Sequence, residues 1–137
     1  MSLSPEILLD MLESHDPDLR QTGMLWIARY QLDEFLGDVI QLAQDRDAEV
    51  RACAIWVLDI LKNPAAMLPL ISALYDEDYS VRSNAGWALV HLGPPVVKDV
   101  TVVLRLGTSH AREMAFQVLN RLETEDAREA IKKYWTA

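Results

Sequence analysis

The chain has 137 residues, half of them hydrophobic, which is enough apolar material for the core of one domain. Its net charge is −8, an acidity that argues against sequence-independent nucleic-acid binding and against docking on an anionic membrane surface. The single cysteine, Cys53, excludes an intramolecular disulfide and suits a reduced protein.

The N-terminal residues Met-Ser-Leu-Ser-Pro-Glu carry neither a basic nor an apolar leader region. No stretch approaches the ~18 uninterrupted apolar residues of a membrane helix. No signal peptide and no membrane span are therefore expected, and the expected location is the cytoplasm.

The expected elements are all helices and alternate in length. A short helix near 5–14 begins at Pro5, where a missing N–H costs little. A longer one near 18–30 follows Asp16. The same succession recurs as 34–44 and 48–61, then 65–75 and 79–92, then 95–106 and 109–122. Pro64, Pro94 and Pro95 mark the starts of short helices. Gly93 and Gly107 are expected to close helices as C′ glycines. A final helix near 125–135 has Glu125, Asp126, Arg128 and Glu129 in its first half and reads as a terminal cap.

The register that joins these elements is an arginine ladder. Arg20, Arg51, Arg82 and Arg112 are spaced by 31, 31 and 30 residues. Asp16, Asp47, Asp78 and Thr108 stand four residues before them, where an N-cap side chain accepts a free backbone N–H. Seven residues after the arginines come Ile27, Leu58, Leu89 and Leu119; ten after come Tyr30, Leu61, Leu92 and Leu122. Apolar offsets of −1, 3, 6, 7 and 10 make one stripe at about 100° per residue. Self-similarity at this period marks a repeat architecture, in which stacked units bury a continuous core. The arginines are expected to pair with aspartates of their own or the neighbouring repeat and to tie helix starts together. The first unit is less clearly capped, because Ile7, Leu8, Leu9, Met11 and Leu12 leave little polar face.

The segment Asp-x-x-Val-Arg-x-x-Ala-x-x-x-Leu-x-x-Leu, best seen in Asp47–Leu61 and Asp78–Gly93, resembles the HEAT-like repeat of the phycobilisome-lyase type. The run Ala65–Leu74 has the matching style of a preceding helix. The resemblance covers essentially the whole chain. It implies an all-α, right-handed α-solenoid of about four helix-pair HEAT-like repeats (near 5–30, 34–61, 65–92 and 95–122) plus a capping helix at 125–135, in one domain, 1–137. It also implies that the longer helices line the concave side. Proteins of this kind include chromophore-lyase subunits, adaptors and regulators, and some enzymes, so the fold leaves the function open.

Trp56 and Trp87 each lie five residues after a ladder arginine. That offset is about 140° around the helix, while the apolar stripe centres near 290°. Both rings are therefore expected on the opposite face. Its candidate partner-binding residues are Leu25, Arg29, Cys53, Trp56, Ile60, Asn84, Trp87, His91, Gln117 and Arg121. Two readings stand for the tryptophans: an apolar docking patch, or rings packed flat on the adjacent repeat. Trp26 is expected to face the core, and Tyr134 and Trp135 to close its end. Arg29 and Arg121 offset Asp59 and Glu113 on this face, so the excess acid lies elsewhere, on turns and shorter helices, as a solubilising surface.

Catalytic patterns are thin. His15, His91 and His110 occupy unrelated positions without metal-ligand spacing. The metal-binding hydroxylases of the family type use His-Glu pairs, and this chain has none. Cys53 has no fixed basic neighbour to activate it, and no Gly-rich phosphate loop occurs. The expected function is a non-enzymatic scaffold or adaptor that binds another protein or peptide on the concave face, without cofactor or metal. The alternative is a lyase or chaperone subunit handling a tetrapyrrole chromophore. Homodimerisation through the apolar N-terminal pair is a further expectation.

Overall fold

The computed structural model describes residues 3–135. Met1 and Ser2, part of the stretch read for a leader, and Thr136 and Ala137 lie outside the described residues. The described chain is all helix and turn. Helix α1 (Pro5–Leu12) pairs with α2 (Pro17–Tyr30), α3 (Leu36–Leu42) with α4 (Ala48–Leu61), α5 (Met67–Ala73) with α6 (Tyr79–Leu92) and α7 (Val97–Leu106) with α8 (Ser109–Leu122). A single helix, α9 (Glu125–Tyr134), follows.

The capping residues set where the longer helices start. Oδ1 of Asp16 accepts from the amide of Asp18, and that of Asp47 from the amides of Glu49 and Val50. Asp78 and Thr108 accept from Val81 and Ala111. Each bond satisfies a donor that has no partner within its helix, and loss of such a cap costs about 1 kcal/mol. The shorter helices α3, α5 and α7 are entered through single 3-10 turns, Asp33–Phe35, Pro64–Ala66 and Pro94–Val96. Two of these turns begin at proline, whose fixed φ fits a tight first turn.

The helix ends depart from the sequence expectation. Gly93 closes α6 at φ 85°, in the half of φ space that favours glycine. Gly107 does not behave this way: it stands at φ −75° and ψ 173°, ordinary extended backbone. Space accounts for the glycine there, since an added Cβ would meet the Val103 carbonyl oxygen at 2.6 Å. The left-handed closures fall on Gln31, Lys62 and Glu123 at φ 49°, 49° and 55°.

One apolar cluster runs through the stack from Leu8 to Ala130. Val50, Val81 and Ala111, each one residue before a ladder arginine, are fully buried. The first repeat differs at both ends of its longer helix. Leu19 is 43% exposed, and Tyr30, expected in the stripe, is 48% exposed with its ring beside Trp26 at 5.0 Å. Leu8 and Leu12 are buried in the core, so α1 presents less apolar surface than its sequence suggests; Ile7 remains exposed. At the other end Trp135 stacks on Phe116 at 4.7 Å, and Tyr134 packs against the core beside it. Trp26 is partly buried against the core.

Each longer helix packs closely on the next, α2 on α4, α4 on α6 and α6 on α8. The shorter helices α1, α3, α5 and α7 pack chiefly on their own partners. The longer helices therefore form one continuous layer, and each shorter helix backs its own partner.

Candidate functional site

The ladder arginines are used inside the fold. Arg20 and Arg82 are 6% and 7% exposed. Nη1 of Arg20 donates to the Ser14 carbonyl at 2.8 Å, and Nη2 to Oδ1 of Asp45 at 3.0 Å. Nη1 of Arg51 donates to the Asp45 carbonyl at 2.8 Å, while Nε and Nη2 grip both oxygens of Asp76 at 2.9 and 3.1 Å. That planar two-point grip is the strong form of the ion pair, and the Asp76 carboxylate raises the Arg51 pKa further above its ordinary value. Each acid stands 25 residues after its arginine, two before an N-cap, and also accepts the amide of that cap residue. The partners are thus Asp45 and Asp76 of the following repeat rather than the capping aspartates.

The third and fourth rungs change. The position 25 residues after Arg82 is Gly107. Nη1 of Arg82 donates to the carbonyls of Asp76 and Glu77, and among the described residues no carboxylate lies within ion-pair reach. Arg112 donates to the carbonyls of Leu104 and Tyr134, with its guanidinium over the Trp135 ring at 5.3 Å. Every rung thus reaches backbone carbonyls where one helix ends, and two rungs add a carboxylate of the next repeat.

The opposite face of the same helices is open. Trp56 and Trp87, on α4 and α6, are each 44% exposed. A recess of about 280 Å³ lies between these helices, lined by Trp56, Asp59, Asn84, Trp87 and His91. A second of about 580 Å³ adjoins it toward α2, sharing Trp56 and Asn84 and adding Leu25 and Cys53. The polar groups between the rings are already oriented. Nδ1 of His91 lies 2.8 and 3.0 Å from the two oxygens of Asp59. Nδ2 of Asn84 donates to the Ala52 carbonyl at 3.1 Å. The Trp87 ring is stacked by His91 at 6.0 Å and covered by the Arg121 guanidinium at 4.2 Å.

Comparison with known proteins bears on the fold. The sequence profile of the HEAT repeats matches residues 5–69. Among solved structures, a chain of the complex of CpcE and CpcF of phycocyanin lyase from Nostoc sp. PCC7120 superposes with a TM-score of 0.72. Residues 5–69 thus resemble HEAT repeats, and the whole chain has the fold of a HEAT-like solenoid. The likeness covers all of this chain and 61% of that one at 22% identity, so it speaks for the all-α solenoid fold alone. No curated protein matches the sequence.

Within this HEAT-like stack the expected face residues separate into two groups. Leu25, Cys53, Trp56, Asn84, Trp87 and His91 line the two adjoining recesses, and Arg121 covers one ring. Arg29, Ile60 and Gln117 do not line them; Ile60 is half-buried against the core, and Arg29 lies over the Tyr30 ring at 5.6 Å. Cys53 was expected on an exposed face but is partly buried, which pushes its thiol up to about 11. A thiol so shifted is a weak nucleophile at neutral pH. Among the described residues no three of His, Cys, Asp and Glu come within metal-ligating reach of one another. No single helix among them is long and apolar enough to cross a membrane.

Sequence reasoning placed Asp59 on this face but not among its candidate binding residues. It stands three residues after Trp56 on the same face and meets His91 of the next repeat, 32 residues on. The signal available was the repeat spacing itself, applied between two polar residues of unlike type.

Proposed function

We propose that this HEAT-like scaffold is non-enzymatic and binds another protein or peptide along its concave face, with Trp56 and Trp87 as anchors. The observation that carries the reading is the exposure of two large aromatic rings on neighbouring longer helices, facing a shared recess. Tryptophan at such a place is the residue type most enriched among binding hot spots. The polar groups beside the rings orient one another and form no acid–base pair aimed at a common reacting atom. The direct test is the double variant Trp56→Ala/Trp87→Ala, compared with wild type in affinity capture from the native lysate. The reading expects a folded variant that loses the wild-type partner; a folded variant with unchanged recovery sinks it.

A second reading rests on the same two ring faces, which could stack on a large planar ligand. In this form the chain is a subunit that handles a tetrapyrrole, in keeping with its fold likeness to a phycocyanin lyase chain. It expects a shift of the visible absorption band when bilin or haem is titrated into the protein, abolished in the double variant. An unshifted band counts against it.

A further inference from the structure

We propose that the recess between Trp56 and Trp87 receives an arginine side chain of the partner. This rests on the concave-face reading and adds to it the chemistry of the group bound. Four observations point to a planar cation.

Trp56 and Trp87 both line the recess, and an indole face attracts a cation through its negative quadrupole. The molecule already shows this preference, because Arg121 lies over Trp87 at 4.2 Å without lining the recess. The residues that line the two recesses include the carboxylates Asp59, Glu49 and Asp78 and no lysine or arginine. Their charge complements a basic segment.

The third observation concerns hydrogen bonding. Asn84 spends one of its amide N–H groups on the Ala52 carbonyl. Nδ1 of His91 faces Asp59. The acceptor capacity is the part left open. Asp59 sits at 17% side-chain exposure, and a carboxylate has room for about four donors, while the single His91 Nδ1 is shared between its two oxygens.

The fourth is size. A recess of about 280 Å³ falls just below the ~300–1,000 Å³ typical of small-molecule sites and suits one long side chain. Arginine fits better than lysine, since a guanidinium is planar, weakly hydrated and able to stack on an aromatic face while donating to a carboxylate.

The test uses intact protein and the peptide acetyl-Gly-Ser-Arg-Ser-Gly-amide, with Lys, citrulline or norleucine replacing Arg in control peptides. Titrations are followed by the indole N–H resonances of the four tryptophans. The proposal expects the Trp56 and Trp87 signals to move, with Trp26 and Trp135 unchanged. Affinity should fall in the order Arg, Lys, citrulline, with at least about tenfold between the first and last. Asp59→Asn should weaken the Arg peptide about tenfold, and Asp59→Glu should restore most of the loss.

Equal affinity for the Arg and citrulline peptides overturns the proposal, as does movement of the wrong indoles or none. If Asp59→Asn fails to fold, the Arg-against-citrulline comparison on wild type decides alone. A partner lost by Trp56→Ala/Trp87→Ala but bound equally by wild type and Asp59→Asn would sink the arginine claim and leave the concave-face reading standing.

Discussion

The arginine seam and the tryptophan face run along the same longer helices, on opposite sides of them. Both stand out in the sequence, and the structure puts them to different uses. Along the seam the guanidinium groups are turned inward and their donors meet carbonyls of the preceding helix end. Arg20 and Arg51 add an aspartate of the following repeat. On the face, Trp56 and Trp87 leave nearly half their surface to solvent although each could have packed flat on its neighbour. Regular recurrence thus marks a part that every repeat needs for stacking. At this position tryptophan occurs only in the two middle repeats, and stacking does not require it, since Leu25 and Gln117 hold the same position in the outer ones.

The comparison makes its largest prediction for Arg51. Arg51→Met leaves the half-buried Asp76 without its cation and the Asp45 carbonyl without a donor. Breaking a half-buried two-point pair from one side costs about 2–3 kcal/mol, less than a fully buried one, which calorimetry should register as a melting point lower by roughly 7–10 °C. Arg82→Met should cost less, about 1–2 kcal/mol, since only carbonyl acceptors lose their partner. A reversed order would show that the carboxylate adds nothing to the seam.

Stabilisation is expected at the helix ends. Lys62→Gly relieves a left-handed residue at φ 49° and should raise stability by about 0.5–1 kcal/mol in denaturant unfolding. Gly93→Ala, at φ 85° and ψ −159° where almost only glycine fits, should lower it by about 1–3 kcal/mol.

The smallest effect concerns the face. The Cys53 thiol, ordinarily near 9.0, is pushed up to about 11 by burial. At pH 8 its thiolate fraction, and so its rate of iodoacetamide alkylation, should be about a hundredfold below that of the unfolded chain. The sign for stability follows. The folded state holds its proton to higher pH than the unfolded one, so this contribution is complete below pH 9 and is lost as pH rises toward 11. Alkylation as fast as in urea would mean that the face is more open than described.

How far the sequence reaches can be seen at particular residues. The longer helices were legible because their starts are written twice, in the capping Asp or Thr and in the arginine four residues later. α2 begins one residue before its expected position, and α4, α6 and α8 begin where expected. Helix ends were less legible. Gly107 looked like a C′ glycine, but its constraint is a carbonyl oxygen close by in space. Lys62 and Glu123 take left-handed positions that their residue types do not advertise. The face was legible in direction, since helical geometry points Trp56 and Trp87 away from the core stripe. The meeting of Asp59 and His91 was not, because it depends on how far one repeat is displaced along the next. That displacement is set by packing across the whole interface.

The most direct measurement of the central claim is the affinity of the captured partner for three proteins at a temperature where all are folded: wild type, Trp56→Ala/Trp87→Ala and Arg82→Met. Losing the two tryptophans should weaken binding at least about thirtyfold, the loss of a single hot spot of about 2 kcal/mol, because hot-spot contributions are not additive. Arg82→Met should bind as wild type does despite its lower melting point. Binding retained by the tryptophan variant, or lost with the seam variant, would contradict the assignment of structure to the seam and recognition to the face.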